Sequence, residues 1–104
     1  MSSSVRQIGG ARVGFFNATY PLVTLIADSQ TLHLDCPGRD YVFPRTSITK
    51  LSRYRAFLSV GLRIEHTVET YPPFVVFWVS MFSWTPGFQL LRDKLESIGY
   101  AIAA

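Results

Sequence analysis

The sequence predicts a mainly β fold: a bent antiparallel sheet or partly open barrel of about seven strands, capped by one C-terminal α-helix. Three observations carry this. Runs rich in Val, Ile, Phe, Tyr and Thr are broken by turn residues at short intervals along most of the chain. Near the C-terminus the apolar period changes from that of a strand to that of a helix. Apolar residues make up 48% of the 104 positions, with eight Phe, five Tyr and two Trp, enough for one core and far from a disordered composition.

Residues 1–10 are rich in Ser and Gly and read as a flexible N-terminal tail, leaving 11–104 as a single domain. Residues 12–19 form the first candidate strand, closed by Tyr20-Pro21, and 22–27 the second, ending at the polar turn Asp28-Ser29-Gln30. Residues 31–35 alternate strictly, with Leu32 and Leu34 inward and His33 outward. A turn over 36–40, punctuated by Pro37-Gly38, joins them to residues 41–45 as a hairpin. Residues 48–55 extend the sheet with mixed patterning that leaves their register open.

A loop over 56–60 carries the apolar pair Phe57 and Leu58. Residues 61–67 alternate again, with Leu62, Ile64 and His66 on one face and Arg63, Glu65 and Thr67 on the other. After a turn at 69–73, residues 74–81 are apolar on both faces. Such a strand is covered twice, here by the barrel interior and by the C-terminal segment. In that segment Phe88, Leu91, Leu95 and Ile98 form one stripe of a helix. Thr85 is its expected N-cap, Pro86 its first residue, and Gly99 its stop, with Arg92 and Glu96 paired at i, i+4.

The segments Tyr41-Val42-Phe43-Pro44-Arg45, Gly61-Leu62-Arg63-Ile64-Glu65-His66 and Tyr71-Pro72-Pro73-Phe74-Val75-Val76-Phe77-Trp78, followed by the helix, resemble the pleckstrin-homology-like (PH-like) superfold. The likeness covers residues 12–102 and is similar to that of small, uncharacterised bacterial members of the superfold. It rests on element order and texture, and implies a seven-stranded bent sheet plugged at one corner by the helix. Lipid-binding members carry a basic motif in the first strand–turn–strand, where this chain reads Phe16-Asn17-Ala18-Thr19-Tyr20-Pro21 without Lys or Arg. Members also often carry a Trp within the helix, whereas Trp84 precedes it here.

Composition narrows the function classes. The net charge is +3, too small for a protein that wraps DNA. Cys36 is the single cysteine, and with two histidines it makes no zinc spacing. The first ten residues lack the apolar stretch of a secretory signal, and no apolar run reaches the length of a spanning helix. These features point to a cytoplasmic protein, with a peripheral place at the inner face of the membrane as the alternative. His33 and His66 have no hydrolase-type partners nearby, and Gly9-Gly10 is no phosphate loop. Cys36 reads as structural, and His66 as a core histidine bonded to neighbouring backbone. No enzyme activity, metal or cofactor is expected.

The charge is concentrated between residues 39 and 63, where Arg39, Arg45, Lys50, Arg53, Arg55 and Arg63 stand against the single acid Asp40. Arg53 and Arg55 share a parity and project together from a strand. With Lys50, Tyr54, Phe57 and Leu58 they form the candidate binding patch, against the plainer reading of a solvated basic face. The expected function is a non-catalytic binding module that recruits or scaffolds a protein partner, self-association included. The alternative is attachment to anionic membrane lipid through this patch. Nucleic acid is disfavoured, since no RNP-like motif accompanies the aromatics. Tyr20, Tyr71, Phe82 and Trp84 are further candidates for an interface surface.

Overall fold

The computed structural model describes residues 4–55, 60–79 and 87–103. It is mainly β: among the described residues one curled sheet of eight strands forms a half-barrel, with a single α-helix near the C-terminus. The strands are β1 (Val5–Val13), β2 (Phe16–Ala27), β3 (Thr31–Cys36), β4 (Arg39–Pro44), β5 (Ile48–Arg55), β6 (Val60–His66), β7 (Val75–Trp78) and β8 (Ile102–Ala103). The helix α1 spans Gly87–Ser97, and a 3-10 turn at Arg45–Ser47 links β4 to β5. Strand order across the sheet is β4-β3-β2-β1-β7-β6-β5-β8, antiparallel except for the short parallel pairing of β8 with β5.

Several expectations are corrected at the N-terminal end. The flexible tail expected over residues 1–10 is strand from Val5 onward, because β2 pairs along it and β7 joins its other side from Gly10. Residues 12–19 are not one strand. They hold the end of β1, a turn at Gly14 and Phe15, and the start of β2. β2 continues through Tyr20-Pro21, whose peptide bond is cis, with the register interrupted opposite Gly10. Later elements follow the pattern more closely: β3 and β4 form the expected hairpin, and β5 pairs along β6 with a bulge between Ile48 and Lys50.

Odd positions of β1 and even positions of β3 face the concave side with Val23, Leu25, Phe43, Leu62, Ile64, Val75 and Phe77, these seven fully buried in one cluster. Phe88, Leu91 and Leu95 of α1 close over this concave side and join the same cluster, and Ile98 packs against it. Gly99 ends the helix at φ 103°, a backbone region nearly closed to residues with a Cβ. Thr85 and Pro86, the expected start of the helix, lie outside the described residues, as do Phe82 and Trp84.

The helix is not the second cover of β7. It packs on the concave side, where Phe77 already points, so another group must bury Val76 on the convex side. Val76 stands directly opposite Arg12 of β1 and Arg63 of β6, and it is fully buried. Both arginines reach over the ring of Phe74, two residues before it, so their stems run beside the valine and account for its burial on physical grounds.

The open side of the half-barrel is sealed by the loop between β6 and β7. Tyr71 accepts the Val42 N–H of the β4 edge at 3.1 Å, and its ring packs edge-on against Tyr41 and Phe43. At the other end Arg45 donates to the carbonyls of Ser29 and Gly99 and stacks over Tyr100, 4.8 Å from the ring centre. Tyr100 in turn donates to Asp28 O at 2.7 Å, which ties the chain after α1 to the β2–β3 turn. Burial raises the Tyr100 pKa, the nearby Asp28 adds to the rise, and Arg45 opposes it.

Candidate binding surface

Strand alternation splits the candidate basic patch. Arg53 and Arg55 are opposite Leu62 and Val60, and they share the parity of the buried Leu51. They therefore emerge at the concave rim, where Arg53 lies over the Phe88 ring at the start of α1, 5.9 Å from its centre. Tyr54 projects from the other face. Lys50, opposite Glu65 and beyond the bulge, shares the convex parity of Tyr54, and it borders a 190 Å³ cleft with Arg45 and Tyr100. Phe57 and Leu58 lie outside the described residues. The described members of the patch thus divide between two faces of β5, where sequence parity alone paired Arg53 with Arg55 and left the rest unplaced.

What gathers on the convex side is a different set. Phe74, just before β7, has Arg12 and Arg63 over its ring at 5.9 and 5.4 Å, from the strands on either side. Tyr54 meets Phe74 and Trp78 edge-on, with ring centres 5.6 and 5.8 Å apart. Trp78 sits opposite two glycines, Gly10 and Gly61. A Cβ at Gly61 would come within 2.7 Å of the indole and of Val76, so only glycine lets the ring lie down on β6. Arg12 borders a groove of 370 Å³ with Gly14, Phe15 and Phe74. Phe15, at the tip of the β1–β2 turn, is wholly exposed.

The electrostatics of this platform are one-sided. Among the described residues no carboxylate lies within ion-pair distance of Arg12 or Arg63. Arg12 Nε donates to Gly14 O at 3.1 Å, while Arg63 Nε is buried without a hydrogen-bond partner. A buried guanidinium nitrogen without an acceptor is costly, so an anionic group brought to this face would gain more than at an ordinary surface arginine. Sequence reading missed this site because its members come from β1, β5, β6 and β7. The available signal was the placement of Arg12 and Arg63 on polar sides of strands flanking an aromatic run.

The two titratable residues weighed from sequence are structural in their contacts. His66 accepts from the Val68 N–H at Nδ1, 3.0 Å away, so the proton is on Nε2, which donates to Pro72 O at 2.9 Å. This is the backbone-bonded core histidine that the pattern predicts. It also packs against Phe43, with ring centres 4.8 Å apart. Cys36 is buried, and its thiol is pushed up to about 11 by burial first and by Asp35 and Asp40 next. No three His, Cys, Asp or Glu of the described residues come together as a metal-binding set.

No helix among the described residues is long and apolar enough to cross a membrane. Comparison with known protein families, with curated proteins and with solved structures returns no match to this chain.

Proposed function

We propose that this chain is a PH-like, non-catalytic binding module that recruits or scaffolds a protein partner, and that it docks through the arginine–aromatic platform on its convex face. The fold reading is supported by the curled half-barrel and the helix near the C-terminus, which are compatible with the PH-like arrangement. The functional reading is carried by one observation: two arginines without carboxylate partners among the described residues share the Phe74 ring beside Tyr54 and Trp78. Arg, Tyr and Trp are the residues that anchor protein interfaces, and a platform of this kind suits a segment that pairs an acidic side chain with an apolar one. The test is panning of a random peptide library on the native protein and on the Arg12→Glu/Arg63→Glu variant. The expected result is enrichment of peptides with Asp or Glu next to an apolar residue on the native protein alone. Equal enrichment on both, or a motif without acids, overturns the reading.

A second reading, attachment to anionic lipid, is favoured by the exposed Phe15 beside Arg12 at the β1–β2 turn. The turn is one place where the expectation changes: the basic residue sought between Phe16 and Pro21 sits before the turn, on β1. An apolar tip next to a cation suits a charged membrane surface, at about 1 kcal/mol per close cation. Co-sedimentation with phosphatidylserine vesicles, lost with Phe15→Ser and reversed by salt, would support it. No pelleting at low salt would dismiss it.

A further inference from the structure

The register sets a polar row across the convex face, running through the arginine–aromatic platform. Asn17 of β2 is opposite Arg12 of β1, Arg12 is opposite Val76 of β7, Val76 is opposite Arg63 of β6, and Arg63 is opposite Ser52 of β5. Directly opposite residues of an antiparallel pair project to the same side, so these five lie in one line across five strands. The line holds two cations, no acid, and a neutral hydrogen-bonding side chain at each end. Its one apolar member, Val76, is buried and presents nothing to a partner.

A partner docked on this line removes both guanidinium groups from water, and a charge desolvated without a counter-charge is costly. Among the described residues neither arginine has a carboxylate within ion-pair distance, and Arg63 Nε is buried without an acceptor. One carboxylate cannot serve both. β7 separates β1 from β6, which sets the two arginine backbones about 9.6 Å apart, and a carboxylate held by the N–H groups of one guanidinium leaves the other alone. On the footing of the protein-binding role proposed above, we infer that the bound segment carries two acidic side chains at alternate positions, one for each arginine. A short segment has no stable helix of its own, and in an extended chain alternate side chains share a face about 7 Å apart while adjacent ones leave opposite faces. The arms of the acids and of the arginines cover the remaining gap. Asn17 and Ser52 end the row without charge, so a third acid finds no partner there. A nucleic-acid strand gains affinity with each cation it meets, and this row offers it two.

The test is fluorescence anisotropy on the native chain with four labelled eight-residue peptides that share one leucine and differ in their acids. They carry two glutamates at alternate positions, two at adjacent positions, one glutamate, or none, with glutamine in the vacated places. The first two have the same charge, so a difference between them reports geometry alone. The alternate peptide is expected to bind about tenfold more tightly than the adjacent one, the effect of one added charge-assisted pair. Arg12→Gln and Arg63→Gln, each confirmed as folded by circular dichroism, should bring the alternate peptide down to the affinity of the adjacent one. Equal affinity of the native chain for both overturns the inference, and if both still exceed the peptide without acids the proposed function stands. An advantage that survives both arginine variants also overturns it. No preference for any acidic peptide sinks inference and proposed function together. An eight-nucleotide oligothymidylate that binds as tightly as the alternate peptide, and is lost with Arg12→Gln, makes nucleic acid the occupant and overturns the inference as well.

Discussion

The convex surface of one sheet is treated in two ways. Over β7, Val76 is outward yet wholly buried, because both of its cross-strand neighbours are arginines long enough to lie over it. Over β1 and β2, Ile8 and Leu22 are equally outward and stay open, because the residues beside them are short: Thr24 opposite Ile8, and Gly10 where the register is interrupted. The lesson is that an outward aliphatic is buried by the reach of its lateral neighbours as much as by a second layer of structure. Closed with aromatic rings and guanidinium groups, the first region becomes a chemically specific platform. Left open, the second exposes Ile8 and Leu22.

The strongest way to break the contrast is Gly61→Val. Its side chain would collide with the Trp78 ring, Val76 and the Phe77 carbonyl, all within 2.8 Å of a Cβ there. Lifting the indole should cost up to about 3 kcal/mol in urea unfolding. Next comes the pair Val76→Ala and Leu22→Ala, two truncations on one face. The first opens a void beneath two arginines and should cost about 2 kcal/mol, the second within about 0.5 kcal/mol of the folded monomer. Arg63→Ala should cost about 1 kcal/mol through lost packing on Val76 and Phe74, whereas Arg6→Ala should be close to neutral.

The smallest effect concerns Cys36. In the folded chain the thiol titrates near 11, against 9.0 in its ordinary state, so folding favours the protonated form. That contribution is complete below pH 9 and is lost as the pH rises towards 11. Stability curves of the native chain and Cys36→Ala should therefore converge across this window. Iodoacetamide at neutral pH should label Cys36 only after unfolding, and labelling at the rate of a free thiol would contradict its burial.

Local patterning was legible where one rule governed a segment. Leu32 and Leu34 alternate with His33 and Asp35, the Phe88–Leu91–Leu95 stripe repeats at helical spacing, and Gly99 stops the helix, because period and backbone freedom are properties of the chain itself. β1 was misread as a tail, because Gly9 and Gly10 look like loop residues in isolation. Both are buried, and a Cβ at Gly9 would come within 2.7 Å of the Phe77 ring, so the close approach of β7 is what calls for glycine. The basic patch failed for a different reason: the regular alternation of β5 beyond its bulge sends Lys50 and Tyr54 to one face and Arg53 and Arg55 to the other.

The sequence by itself determined the class of fold, the strand and helix texture, the single helix with its stop, and the structural character of His66. These follow from residue periodicity, turn chemistry and local hydrogen bonding, which act over a few neighbouring positions. Only the tertiary structure decided that Arg12, Tyr54, Arg63, Phe74 and Trp78 form one platform, and that Ile8 shares a row of the sheet with Asp35 and Asp40. Those groupings depend on strand order, since β1 pairs with β7 across more than half the chain, and on a register that one bulged residue can reverse.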